Sequence, residues 1–291
     1  MPNTKFPVAA IDAVVNIQTA EALSHRPPDR REFYVEKLGI DEGTFNGISL
    51  EDMLQRMDEA GIEKAFLVAP KIGRQGLPAA YHLPYQVVAD AVQAHPDRFY
   101  GLAGIDPFEG MDGVRQLEHA VTELGFIGAH VYPHWFELAP DHAKYYPFYA
   151  KCAELGVPIQ MQAGQPLVYS KASPMRSVGQ PITLDAVACD FPELKLIGIH
   201  IGIPWHDEMI AMAWKHANVY MGCDAHAPKH WPQSVVQYIN SYGQDKVIFG
   251  TDFPVIDFAR AMRDIAGHGF KPAVLAKLLR HNVERVYGLG G

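Results

Sequence analysis

The stretch LKLIGIHIG, residues 194–202, is an apolar run that ends on an imidazole, and KVIFGTDFP, residues 246–254, is one that ends on a carboxylate. Each reads as a buried strand that leaves a polar residue, His200 or Asp252, at its C-terminal tip. Working outward, six more short runs rich in β-branched residues lie at 8–17, 64–70, 99–106, 127–133, 158–164 and 219–224, beside the strands at 195–202 and 246–254. Segments of helical period separate them, among them SLEDMLQRMDEAG (49–61), GVRQLEHAVTEL (113–124) and PQSVVQYINSYG (232–243). Ser49 has the chemistry of an N-cap, with Asp52 three residues on, and Gly61 supplies the matching stop. Nearly continuous apolar strands alternating with helices predict a parallel sheet covered on both faces. Eight such units in 291 residues, with no GxGxxG after the first strand, favour a closed (β/α)8 barrel over an open sheet. Neither a repeat nor a shift in composition divides the chain, so residues 1–291 are expected to form one barrel domain.

Apolar residues make up 48% of the chain and charged ones 20%, the balance of a globular protein. Lys and Arg number 25 against 33 Asp and Glu, a formal net charge of −8, and no basic cluster occurs. That argues against nucleic acid or an anionic membrane as partner. Cys152, Cys189 and Cys223 are odd in number and form no CxxC, which points to a reducing compartment. No apolar run approaches the roughly 18 residues of a membrane span, and the N-terminus does not read as a signal peptide. A cytoplasmic protein acting on a small molecule is expected.

Two irregular insertions, 18–47 (containing HRPPDRREF) and 165–180, follow the first and fifth strands, at the barrel end where active sites are built. His200 and Asp252 belong to the same rim, where an imidazole near a carboxylate suits proton transfer or a shared metal. The alternative is that Asp252 caps the next helix and His200 is a packing residue. Arg176, in SPMRSVGQP, is a cation able to clamp a carboxylate, or else a solvated loop residue. Tyr132, Trp135, Phe136 and Trp205 offer an aromatic wall beside His134 and His206. Cys223, with His226 nearby, is either a nucleophile or a buried filler.

PELKLIGIHIGIPWHDEMIAMAWKHANVYM (192–221), KVIFGTDFP and KLLRHNVERVYGL (277–289) resemble the amidohydrolase-2 group of the amidohydrolase superfamily. Further counterparts are SLEDMLQRMDEAGIEKAFLV (49–68), DRFYGLAGIDP (97–107), ELGFIGAHVYPH (123–134) and ELGVPIQMQAG (154–164). That group includes aminocarboxymuconate-semialdehyde decarboxylase, resorcylate-type decarboxylases and hydrolases of aromatic degradation. The resemblance implies a barrel, a homodimer, and a metal held by HxH after the first strand, one His after the fifth, one after the sixth and an Asp after the eighth. Here Val14 and Asn16 stand at the HxH positions and Gln162 at the fifth-strand position, while His200 and Asp252 match, so two of five remain.

Val14 offers no donor, and Asn16 and Gln162 offer only neutral amide oxygens. No tightly bound cofactor is therefore expected. The alternative is zinc or manganese held through relocated histidines, drawn from His130, His134, His206, His226 and His230. The reading is a hydrolase of a small aromatic, lactone or carboxylated substrate, with Asp252 as general acid or base and His200 orienting the substrate. Asn16, Gln162, Arg176, Tyr132, His134, Trp205, His206 and His226 would contact that substrate. A carboxy-lyase of an aromatic or unsaturated acid is the first alternative. An inactive binding barrel is the second.

Overall fold

Eight parallel strands stand in sequence order around the barrel: β1 (Ala10–Asn16), β2 (Ile62–Ala69), β3 (Phe99–Ile105), β4 (Gly128–Val131), β5 (Ile159–Gln162), β6 (Leu196–Ile199), β7 (Val219–Cys223) and β8 (Val247–Phe249). The computed structural model describes residues 6–27, 30–77, 80–168 and 174–290. The first five residues, on which the expectation about the N-terminus falls, and residues 28–29 and 169–173 of the two insertions, lie outside them.

Each strand is followed by a helix: α1 (Leu50–Ala60), α2 (Tyr85–Ala94), α3 (Gly110–Thr122), α4 (Tyr146–Leu155), α5 (Leu184–Asp190), α6 (His206–Lys215), α7 (Gln233–Ile239) and α8 (Phe258–Ala266). α1 begins as its sequence dictates. The Asp52 amide donates to Ser49 Oγ at 3.0 Å, the Ser49 amide donates back to Asp52 Oδ2 at 3.4 Å, and Gly61 ends the helix at φ +77°. α7 is shorter than its apolar period suggests, because the chain turns at Asn240 and the Gly243 amide closes onto the Tyr238 carbonyl at 2.9 Å.

Two apolar layers hold the barrel. Leu67, Phe99, Val114, Phe148, Leu184, Met209, Val235 and Phe258 are among the buried side chains between strands and helices, whereas Ile11, Phe66, Val68, Leu102, Ile197, Ile199 and Ile248 pack in a second cluster within it. At about 1.5–3 kcal/mol for each large side chain buried, these layers dominate the favourable side of folding. Gln160 is an interior polar residue with every side-chain group engaged. Gln160 Nε2 donates to the Ala13 carbonyl at 2.9 Å and to the Tyr287 hydroxyl at 2.8 Å, and its Oε1 faces His130 Nδ1 at 3.2 Å.

The seam between β8 and β1 closes through side chains as much as through backbone. The Asn16 amide donates to the Phe253 carbonyl at 2.8 Å, and the Asp252 amide to the Val14 carbonyl at 2.9 Å. Asp12, wholly buried in β1, accepts from the Thr251 amide (3.0 Å), the Thr251 hydroxyl (2.6 Å) and the Val14 amide (3.1 Å). The seam thus carries the strand tips that bear Asn16 and Asp252. No helix among the described residues is long and apolar enough to cross a membrane.

Candidate active site

Strands β6, β7 and β8 deliver three donors to one point at the barrel mouth. His200 Nε2 lies 3.4 Å from Asp224 Oδ2 and 3.7 Å from Asp252 Oδ2, and one ligand atom from each residue falls within 4.8 Å of the other two. The backbone turns sharply to place them. His200 and Asp252 have φ of +66° and +56°, and Ala225, next to Asp224, has +60°. For residues with a Cβ, that region costs roughly 1–2 kcal/mol each, a strain held here by the surrounding hydrogen bonds. The His200 amide donates to Asp224 Oδ1 at 2.8 Å, and Asn16 Nδ2 donates to Asp252 Oδ1 at 2.8 Å and to the Phe253 carbonyl at 3.0 Å.

Each carboxylate is therefore held by one oxygen while the other is turned inward. His200 Nε2 and Asp224 Oδ2 are buried and have no hydrogen-bond partner. Burial pushes Asp252 up to about 7, with the Asp12 charge adding to it and the Asn16 bond opposing it. Asp224 is raised well above the carboxylate range, first by burial and then by Asp252. His200 is driven well below the usual imidazole value by burial. Two carboxyls and an imidazole that resist carrying charge, with two inward atoms unpaired, make a pocket that a cation would satisfy.

Beside His200 and Asp252 opens a cleft lined also by Asn16, Tyr132, His134, Gln162 and His226, with Phe33, Tyr34, Leu38, Ile72 and Trp135 as its largely apolar walls. Both insertions contribute, through residues 33, 34 and 38 from the first and 165–168 and 175 from the second. An adjoining chamber shares Asn16, Tyr34 and Trp135 and adds Arg26 and Arg30. Arg30 stacks 4.5 Å above the Trp135 ring, and Arg26 donates to the Phe45 carbonyl at 2.8 Å while stacking on Phe45 and Tyr34.

Asp252, His200, Asn16, Gln162, Tyr132, His134 and His226 thus meet in the cleft as expected, and three other expected residues do not. Arg176 is exposed and pairs with both oxygens of Glu137, at 3.0 and 3.1 Å. Trp205 and His206 are half-buried at the start of α6 and are absent from the cleft wall, because the left-handed turn at His200 and Ile201 carries the chain away from the mouth. Cys223 is buried and its thiol is raised well above the usual value by burial, which rules out a ready nucleophile. Sequence reasoning missed Asp224, Arg26 and Arg30. Asp224 had the same signal as His200 and Asp252, a polar residue at a strand tip.

The amidohydrolase family pattern matches residues 23–289. The gamma-resorcylate decarboxylase of Rhizobium sp. (strain MTP-10005) is 23% identical over 288 residues, covering 82% of this chain and 86% of that one. An uncharacterised TIM-barrel protein, Bb4693, from Bordetella bronchiseptica superposes with a TM-score of 0.79 at 25% identity, over 96% of this chain and 98% of that one. The 5-carboxyvanillate decarboxylase of Novosphingobium aromaticivorans DSM 12444, solved with manganese and 4-hydroxy-3-methoxy-5-nitrobenzoic acid, gives 0.70 at 16% identity over 97% and 96%. The expectation of no metal cofactor is corrected by manganese-bound proteins of the same fold, this decarboxylase and the dihydroxybenzoic acid decarboxylase of Polaromonas sp. JS666. It counted His200 and Asp252 as the only donors, whereas Asp224 supplies a third.

Proposed function

The chain belongs to the amidohydrolase family, and from that premise we propose that it is a metal-dependent carboxy-lyase that removes CO2 from an aromatic acid. One observation carries the reading: His200 Nε2, Asp224 Oδ2 and Asp252 Oδ2 converge beside a cleft walled by His200, Asp252 and several aromatic and aliphatic side chains. The decarboxylase relatives support it.

Three protein donors with room beside them are the usual provision of a catalytic metal site, and an imidazole with two carboxylates suits manganese or zinc. The unpartnered His200 Nε2 and Asp224 Oδ2 are the atoms such an ion would occupy. When bound, it supplies positive charge that offsets the two carboxylates and polarises the substrate's acid group. Asn16 does not join the donor set. It holds Asp252 by the oxygen facing away.

The chain's own residues supply the rest. Arg26, which donates to the Phe45 carbonyl, lends the adjoining chamber a positive charge that favours an anionic acid. Phe33, Leu38, Ile72 and Trp135 exclude water from the ring. Exchange of a carboxylate for hydrogen requires one proton at the ring carbon. Asp252 is the carboxyl of the trio that lines the cleft. Its Oδ2 would take that proton from water and hand it to the ring carbon, serving as an ionised donor to the ion only before and after that step. As the C–H bond forms, the C–C bond breaks, its electron pair returns to the ring and CO2 departs.

Hydrolysis, the reading first expected from the sequence, leaned on the lack of a metal and loses that footing once Asp224 is counted. Incubation with 2,6-dihydroxybenzoate or 5-carboxyvanillate and manganese tests the proposal. CO2 and the decarboxylated phenol are expected in equal amounts, with loss of both on chelation. Phenol formation that chelation leaves unchanged, or no CO2 from either acid, would overturn it.

A further inference from the structure

His134 is fixed in one tautomer. Its Nδ1 accepts the Val178 backbone N–H at 3.1 Å, so the proton of the neutral ring sits on Nε2. That Nε2 is buried and has no hydrogen-bond partner among the described residues. The ring lines the cleft with Gln162, His200 and Asp252, and it has little freedom to turn aside. The loop after β5 crosses it at Gly179, where a Cβ would stand 2.7 Å from His134 Cε1. A buried N–H without an acceptor is rare and costly, so its partner is to be sought in what enters the cleft.

Position says which part of the ligand that is. His134 follows β4, whereas the three donors end β6, β7 and β8, so the imidazole belongs to a different sector of the mouth from the reacting carbon. A single neutral donor suits a single oxygen better than it suits a carboxylate, which an ion held by the donor trio would serve. We propose that His134 Nε2–H is a specificity-determining donor for a second oxygen function on the ring, distinct from the departing carboxylate. The inference rests on the decarboxylase reading and names the side chain that would recognise such an oxygen.

Calorimetric binding of 2,6-dihydroxybenzoate and of benzoate to the manganese-supplemented protein tests it. The wild type is expected to prefer the dihydroxy acid by about 10-fold or more, the worth of one desolvated donor. His134→Leu should abolish most of that preference while leaving benzoate affinity unchanged, and His134→Gln, which keeps an N–H near the Nε2 position, should recover part of it. Gly179→Ala, which pushes on the ring without altering its chemistry, should also lower the preference. Nitrogen NMR of histidine-labelled wild type should place the proton on Nε2 and show that nitrogen responding to the dihydroxy acid.

A preference that survives His134→Leu, a wild type that binds both acids alike or binds neither, or a proton found on Nδ1 would overturn the assignment. Preferential binding without CO2 release would contradict the decarboxylase reading and leave the His134 assignment standing.

Discussion

Asn16 and Asp252 meet across the barrel seam, with Asn16 Nδ2 donating to Asp252 Oδ1 at 2.8 Å, so that the other oxygen of Asp252 is turned towards His200. Asn16 therefore acts on the chemistry through Asp252, as a positioning residue at a point where the resemblance led one to expect a ligand. Asn16→Ala should weaken manganese binding by about 10–100-fold, the usual effect of losing such a supporting bond. Isothermal titration with manganese reads it. An Asn16→Ala protein with unchanged affinity would remove Asn16 from the site.

Arg176 and Arg26 should behave oppositely. Arg176 is spent on an exposed pair with Glu137, and such pairs contribute little. Arg176→Ala is expected to keep kcat and KM within about twofold. Arg26 lines the chamber beside the cleft, and Arg26→Ala should raise KM for the acid by about 10-fold, the worth of one charge-assisted contact, with a smaller change in kcat. Steady-state kinetics of both variants separate the two roles.

Thr251 is a stability residue. Its hydroxyl donates to Asp12 Oδ2 at 2.6 Å and accepts the Phe253 amide at 3.0 Å, both in the dry seam. Thr251→Val leaves a buried carboxyl and a buried amide each short of one partner. A loss of about 1–3 kcal/mol follows from the cost of an unpaired buried group. The urea midpoint should fall at unchanged slope.

Buried histidines set an acid limit. Burial holds His130 down to about 3, and His134 and His226 to about 4, against 6.5 for an exposed imidazole. Below pH 6.5 the unfolded chain binds protons that these rings refuse in the fold, so stability falls as pH drops from 6.5 towards 4. Asp12 runs the other way. Its folded value of about 7 exceeds 3.8, so its contribution is full below pH 3.8 and is lost as pH rises to 7. Substituting one group isolates its share. His130→Gln should flatten the dependence between pH 6.5 and 4 by about 1.4 kcal/mol per pH unit, measured by urea unfolding against wild type.

The barrel was legible because parallel strands buried on both faces must be largely apolar, and all eight runs were. His200 and Asp252 were legible as polar ends of such runs. Asp224 met the same rule but stood beside Cys223, which drew the chemical reading to the thiol. Asp12 and Gln160 were invisible, since a polar residue inside a strand declares no partner until Thr251 and Tyr287 are brought to it from far along the chain. Arg26 and Arg30 lay in an insertion whose folding over the mouth has no periodic signal. Trp205 and His206 were misplaced by assuming that closeness to His200 in sequence persists beyond a left-handed turn.

The central claim is that His200, Asp224 and Asp252 hold one divalent ion. Manganese binding followed by electron paramagnetic resonance, on wild type and on Asp224→Asn, tests it most directly. The account predicts about one tightly bound equivalent per wild-type chain, as for a site with three protein donors, and a large loss of affinity in the variant. No binding by wild type, or binding undiminished in Asp224→Asn, would contradict it.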